Sequence, residues 1–237
     1  MYSFSSKVRY SECDPRGFLS VPALVNYMQD CSTFHIESMG HGVEYSNERH
    51  FAWYVSAWQI EITRLPRFCD EIVVNTQGYK LREMMAGRAF TVTTKEGELL
   101  AQADSLWFAF DTQAKQPIRI PESEHFYLTD TRIVSLPATK RKLRFSGTMR
   151  ELEPVPVTEQ HLDQNKHVNN AQYIFIASQA MQSVDQSFEP HRILVQYKQA
   201  ARLGDVIVPH VGQDEHGYMF DLANPAGESF AAVRLEG

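Results

Sequence analysis

The chain is 237 residues long, enough for one large domain or two small ones, and 43% of it is hydrophobic, which excludes a disordered chain. A net charge of −6 argues against nucleic acid as the main partner. No apolar run reaches membrane-spanning length, and the N-terminus MYSFSSKVRY lacks the apolar core of a signal peptide.

Residues 22–38 are expected as a helix. Leu24, Met28, Cys31 and His35 mark one face, Ser20 stands as N-cap, Pro22 sits in the first turn and Gly40 lies past the end. Val25 and Tyr27 lie off that stripe, so protein should surround most of this helix. Four runs with β character follow: FAWYVSAWQIEITRL, DEIVVNTQGYKL, GRAFTVTTKEG and ELLAQADSLWFAFD, with KEGE as a hairpin turn. Pro117, Pro121 and Pro137 then mark a connecting stretch. A second helix is expected near 170–184, where Ile174, Ala177, Met181 and Val184 share a face and Phe175 and Ile176 lie off it. NPAGE reads as another hairpin turn. Cys13, Cys31 and Cys69 are odd in number and lack C-x-x-C spacing, which fits packing residues in a reduced, cytoplasmic setting.

The two halves resemble each other. Asp14 in DPRGFLSVPALVNYM meets Asp163 in DQNKHVNNAQYIFIA. Asp70 in RLPRFCDEIVV meets Asp205 in QAARLGDVIVP, and Gly97-Glu98 meets Gly227-Glu228. The matches keep their order while their separation shrinks, as expected of a duplicated unit whose second copy has lost loop residues. Each copy is then a long buried helix followed by antiparallel strands. A sheet curved around a central helix satisfies that pattern, so the expected architecture is an α+β tandem hot-dog fold. The expected division is a first repeat over 1–125, a linker over 126–140 and a second repeat over 141–237.

The stretch HLDQNKHVNNAQYIFIA, residues 161–177, concentrates the chemistry. One reading is a helix cap supplied by Asn169 or Asn170, with the remaining polar side chains solvated. A calcium loop beginning at Asp163 fails, because Val168 stands where glycine is needed and Ile174 where glutamate is needed. A zinc site lacks a second nearby His or Cys at ligand spacing. The remaining reading is catalytic: an imidazole that moves protons near neutral pH, amides and a helix start that hold an oxyanion, and a carboxylate to orient them. The motifs of serine hydrolases, metalloproteases and nucleotide-binding loops are absent from the sequence.

DQNKHVNNAQYI resembles the D-x-N-x-H-V-N-N-x-x-Y signature of the acyl-acyl carrier protein thioesterases. WYVSAWQIEITRLPRFCDEIVVNT and GELLAQADSLWFAFDTQAKQPIRIPE resemble the N-terminal half of the same family. The resemblance implies an enzyme that hydrolyses the thioester between a fatty acyl chain and the phosphopantetheine arm of its carrier protein. It implies no metal and no organic cofactor, and gives no indication whether the chain is a monomer or a homodimer. The acyl tail is expected in the first repeat and the catalytic loop in the second. Asp163, Asn165 and His167 form the implied catalytic set, with Asn169, Asn170 and Gln199 around the substrate. In the first copy Arg16 and Phe18 stand where Asn165 and His167 do, which implies one active site per chain. One departure is that Ala200 stands where plant relatives carry a strand Glu, so Gln196 or Gln199 is the candidate substitute. An acyl-CoA thioesterase and a non-catalytic acyl-binding protein are the alternatives. TKRKLR (139–144) and a second group, Lys80, Arg82 and Arg88, are candidate docking patches for an acidic carrier, or solvated surface. Met28, Met84 and Met85 are candidate pocket residues, or ordinary core.

Overall fold

The computed structural model describes residues 1–237, with every side chain given except that of Leu81. It divides into two compact units, Met1–Lys140 and Arg141–Gly237.

The first unit contains β1 (Tyr2–Lys7), α1 (Val21–Ser38), a short α2 (Val43–Glu48), β2 (Phe51–Ile62), β3 (Glu71–Arg82), β4 (Met85–Thr94), β5 (Leu99–Asp111) and β6 (Gln116–Ile118). The strands run in the order β1-β3-β4-β5-β2, all antiparallel, with β6 also on β5. Helix α1 begins where the Ser20 hydroxyl accepts the Ala23 N–H and Pro22 needs no intrahelical partner. It ends beside Gly40, whose φ of 74° is a conformation that glycine adopts without a Cβ penalty. Leu24, Met28, Cys31 and His35 are buried, and so are Val25 and Tyr27 off the stripe. This helix is therefore enclosed on most sides, the hot-dog arrangement.

The sheet is covered on both faces. Along β4, Ala86, Arg88, Phe90 and Val92 alternate onto the face that meets α1. The opposite face carries Tyr79, Gln77, Gln102 and Asp104, all buried. Residues 126–140, read from the sequence as a linker, run across that second face. Thr129 exchanges backbone bonds with Gly78 and Lys80, and the Gln77 amide reaches the Thr129 hydroxyl at 2.8 Å. Asp104, wholly buried, accepts from the Tyr79 hydroxyl at 2.8 Å and from the Thr139 N–H and hydroxyl, each at 2.8 Å. Arg132 lies 3.2 Å away. A buried carboxylate requires such partners, and this segment supplies most of them.

The second unit contains β7 (Arg150–Glu151), β8 (Val155–Pro156), α3 (Asn170–Gln182), β9 (Arg192–Tyr197), β10 (Val206–Asp214), β11 (Gly217–Ala223) and β12 (Ser229–Glu236). Its strands order β9-β12-β11-β10-β7, again antiparallel, with β8 on β10. Asn169 is the cap of α3, accepting the Ala171 N–H at 2.9 Å. Ala171, Tyr173, Ile174, Ile176, Ala177 and Met181 are buried on the sheet, while Phe175 is 40% exposed. Val184 falls beyond the helix end at Gln182. Together the units give the expected α+β tandem of two helix-and-sheet repeats. No helix among the described residues is long and apolar enough to cross a membrane.

Candidate active site

Asp163, Asn165 and His167 lie on one tight loop that enters α3. The loop is built by Asp163: its Oδ1 accepts the Asn165 N–H at 2.8 Å and the His167 N–H at 3.3 Å. Its backbone N–H donates to the His167 carbonyl at 2.8 Å, and its carbonyl accepts from Lys166 at 3.0 Å. Lys166 takes φ 59°, the left-handed conformation that closes the turn. Leu162 and Val168 then bridge as antiparallel partners, fixing the base of the loop.

The first copy repeats this framework bond for bond. Asp14 Oδ1 accepts from Arg16 at 2.9 Å and Phe18 at 3.0 Å, and Asp14 N–H donates to the Phe18 carbonyl at 2.7 Å. Gly17, with φ 81°, stands where Lys166 stands, and Cys13 bridges Leu19. The second pair of matched aspartates agrees as well: Asp70 accepts the Arg67 N–H and Asp205 the Arg202 N–H, both at 2.8 Å. So do the hairpin glycines, Gly97 at φ 95° and Gly227 at φ 85°. The duplication read from the sequence is thus present in the backbone, and the copies differ in the side chains the loop displays. In the first, Arg16 pairs with Asp14 at 3.0 Å and Phe18 lies under the Arg67 guanidinium. In the second, Asn165 is exposed and the half-buried His167 imidazole forms no hydrogen bond among the described residues.

The loop is braced from the segment after β9. The Val168 N–H donates to the Ala201 carbonyl at 2.9 Å, and the Ala201 N–H donates to the Tyr173 hydroxyl at 2.9 Å. Burial pushes the Tyr173 phenol up to about 12, so it stays protonated. The Tyr197 hydroxyl donates to the Asn170 carbonyl at 3.0 Å, in the first turn of α3. Residue 200 is not on a strand, contrary to the expectation from sequence. β9 stops at Tyr197, because the N–H groups of both Lys198 and Gln199 turn to the single carbonyl of Phe230. Ala200 and Gln199 are exposed in the turn that follows, while Ala201 is buried beneath the loop. Gln196 is committed elsewhere, its Oε1 accepting the Leu143 N–H at 3.0 Å. Gln199 is exposed two residues before Ala201.

Other sequence readings change with the fold. Arg88 is not surface: it is 8% exposed, because alternation along β4 turns it inward between Ala86 and Phe90. Met28 is core and Met84 is exposed. One cavity in the first unit, about 30 Å³, is walled by Ile36, Trp53, Trp107, Tyr127 and Leu128, with Arg88 in its lining. The three cysteines are free thiols. Among the described residues no group of three or more His, Cys, Asp or Glu is placed to hold a metal.

Comparison with known proteins identifies the family. Residues 1–125 match the model of the acyl-ACP thioesterase N-terminal domain, and residues 148–236 match that of the acyl-ACP thioesterase C-terminal domain. A chloroplastic palmitoyl-acyl carrier protein thioesterase of Gossypium hirsutum is 24% identical over 212 residues, which are 84% of this chain and 51% of that protein. An oleoyl-acyl carrier protein thioesterase 1 of Arabidopsis thaliana is 21% identical over 222 residues, or 84% of this chain and 60% of that one. The chain thus spans about half the length of the first of these relatives. In fold it is similar to an acyl-ACP thioesterase from Bacteroides thetaiotaomicron (TM-score 0.86, 20% identity, 99% of this chain and 96% of that one). It is also similar to a 12:0-ACP thioesterase from Umbellularia californica (TM-score 0.84, 20% identity, 99% of this chain and 96% of that one). With both domain models matched in order along nearly its whole length, the chain belongs to the acyl-ACP thioesterase family.

Proposed function

We propose that this protein hydrolyses fatty acyl-acyl carrier protein to free fatty acid and carrier, with the reaction centred on the Asp163–His167 loop. The carrying observation is the contrast between two identical loop frameworks. The copy at Asp14 satisfies its side chains internally, whereas the copy at Asp163 leaves an imidazole and an amide unengaged. The His167 imidazole accepts a proton from water as the water oxygen bonds to the acyl carbon. The Asn165 amide donates to the oxyanion that forms. The C–S bond then breaks, and the proton passes from the imidazole to the thiolate of the phosphopantetheine arm. Asp163 acts as a positioning residue, since its Oδ1 is occupied by the N–H groups of Asn165 and His167. Asn169 caps the helix that follows the loop, and Asn170 and Gln199 complete the proposed substrate-binding set. The acyl tail belongs to the first unit, with the small cavity beside Arg88 taking the far end of the chain. No metal or organic cofactor enters the scheme, and the free thiols suit a reduced, cytoplasmic setting.

The test is thioester hydrolysis with acyl-carrier and acyl-CoA substrates of matched chain side by side. Faster turnover of the carrier substrate supports the proposal. Equal or faster turnover of acyl-CoA reassigns the carrier. Acyl binding without turnover of either makes the protein a binding module and removes the catalytic roles.

A further inference from the structure

Two buried arginines are treated differently by this chain. Arg234, in the second unit, is 5% exposed and makes bonds of 2.7 and 2.9 Å to the two carboxylate oxygens of Asp214, with a further bond to the Arg144 carbonyl. That is how a buried guanidinium is ordinarily stabilised. Arg88, in the first unit, has no such partner. Its Nη1 donates to His35 Nδ1 at 3.1 Å and to the Thr76 hydroxyl at 3.3 Å, and no carboxylate among the described residues pairs with it. His35 does not compensate the charge. Burial, aided by the guanidinium itself, pulls the imidazole down to about 4, so near neutral pH it is a neutral acceptor. Burial lowers the guanidinium as well, to about 10, which leaves it charged. Glu124, a buried carboxylate of the same unit, is engaged by His41, Trp53 and Tyr127.

Arg88 also lines the cavity. Its Nη2 lies beside Gly78, where an added Cβ would come within 3.5 Å of it, so the absent side chain keeps the guanidinium accessible from the cavity. Around it the wall is apolar: Ile36, Trp53, Trp107 and Leu128. A cavity of about 30 Å³ has room for the last atoms of a chain and not for its length. A chain end of hydrocarbon alone would seal the charge from water without giving it a partner, at a cost in desolvation. A chain end carrying oxygen would give it one.

Building on the reading of the first unit as the acyl site, we infer that Arg88 reads the far end of the acyl chain and selects chains that carry an oxygen acceptor there, such as a hydroxyl, keto or carboxylate oxygen. Hydrogen bonds from Nη2 to that oxygen complete a site otherwise left with a buried, carboxylate-free cation.

The test uses the full chain and pantetheine conjugates in which the thioester is replaced by an amide, so that binding is read without hydrolysis. Calorimetry compares plain, ω-hydroxy and ω-carboxy acyl chains of each even length from octanoyl to hexadecanoyl. At one or more lengths an oxygenated probe should bind roughly tenfold tighter than the plain chain, as for one charge-assisted hydrogen bond. Arg88→Met should remove that difference, and Arg88→Lys should retain part of it. The hydroxy and carboxy arms show whether the oxygen must be charged. Plain chains binding as tightly as oxygenated ones at every length would overturn the inference, as would a preference that survives in Arg88→Met. If Arg88→Met fails to fold, the wild-type series and Arg88→Lys still decide. Parallel hydrolysis of the matched thioesters keeps the outcomes separate: a binding preference without turnover sinks the enzyme proposal and leaves the Arg88 inference standing.

Discussion

Replacing Asp163 separates the loop's architecture from its chemistry. Asp163→Ala removes the acceptor of two N–H bonds, at 2.8 and 3.3 Å, from a half-buried turn. At about 1 kcal/mol net for each bond, the second unit should lose roughly 2 kcal/mol. That corresponds to a drop in Tm of about 4–8 °C for a chain of this size. Asp163→Asn keeps an oxygen in the same place and loses only the charge, so its loss should be no more than roughly half as large. Asp14 provides an internal comparison. Asp14→Ala removes the equivalent pair of bonds, at 2.9 and 3.0 Å, and should destabilise the first unit to a similar degree. The probes are already in place: Trp53, Trp58 and Trp107 all lie in the first unit, so urea unfolding followed by tryptophan fluorescence reports that unit, and far-UV circular dichroism reports both. Turnover then completes the comparison. Asp163→Ala should lose activity because His167 loses its anchor, while Asp14→Ala should retain it. Asp163→Asn destabilising as much as Asp163→Ala, or Asp163→Ala within about 0.5 kcal/mol of wild type, would refute the positioning role.

Four further outcomes are expected. His167→Ala should lower turnover by roughly 10²–10⁴-fold with an unchanged unfolding midpoint, and near-normal turnover would eliminate it as the base. His35 is pulled from 6.5 to about 4 by burial. Its neutral form is therefore the one the fold favours, and stability is full above about pH 6.5 and falls as pH drops towards 4. Urea midpoints for wild type and His35→Gln should diverge over that window, and parallel curves would show that His35 is not the group responsible. Asn169→Ala should cost about 1 kcal/mol in urea unfolding through loss of the α3 cap, and a variant as stable as wild type would show that the cap is dispensable. At Gly87 an added Cβ would fall 1.9 Å from the Tyr79 ring, so Gly87→Ala should cost roughly 1–3 kcal/mol by the same measurement.

The features legible in the sequence are those whose causes are local. Ser20 and Asn169 cap their helices because a short side-chain oxygen placed before an apolar run has few other uses. The paired aspartates and glycines were found because a turn needs an acceptor or a positive φ at a fixed place, so both copies kept them. Arg88 is not legible as buried because the face a strand residue takes depends on what packs there, and an arginine within eight residues of Lys80 and Arg82 resembles surface. Residues 126–140 carry prolines and polar side chains, which describe a connector equally well whether or not it lies on a sheet. Their role depends on Asp104 and Tyr79, distant in the chain, needing partners. The place of Ala200 depends on where β9 stops, and Phe230, far along the chain, decides that.

The covering of Asp104 has a practical consequence for anyone dividing this protein. The N-terminal family model ends at residue 125, and a fragment cut there would look complete by homology. Such a fragment lacks Thr129, Arg132 and Thr139. It would leave the fully buried Asp104 carboxylate with the Tyr79 phenol but without Thr139 and Arg132, and Gln77 and Gln102 without their bonds to Thr129 and Ser135. Truncation at that point takes away groups that the sheet has already paid desolvation to receive. The cut that leaves those bonds intact falls after Lys140, where the first compact unit ends.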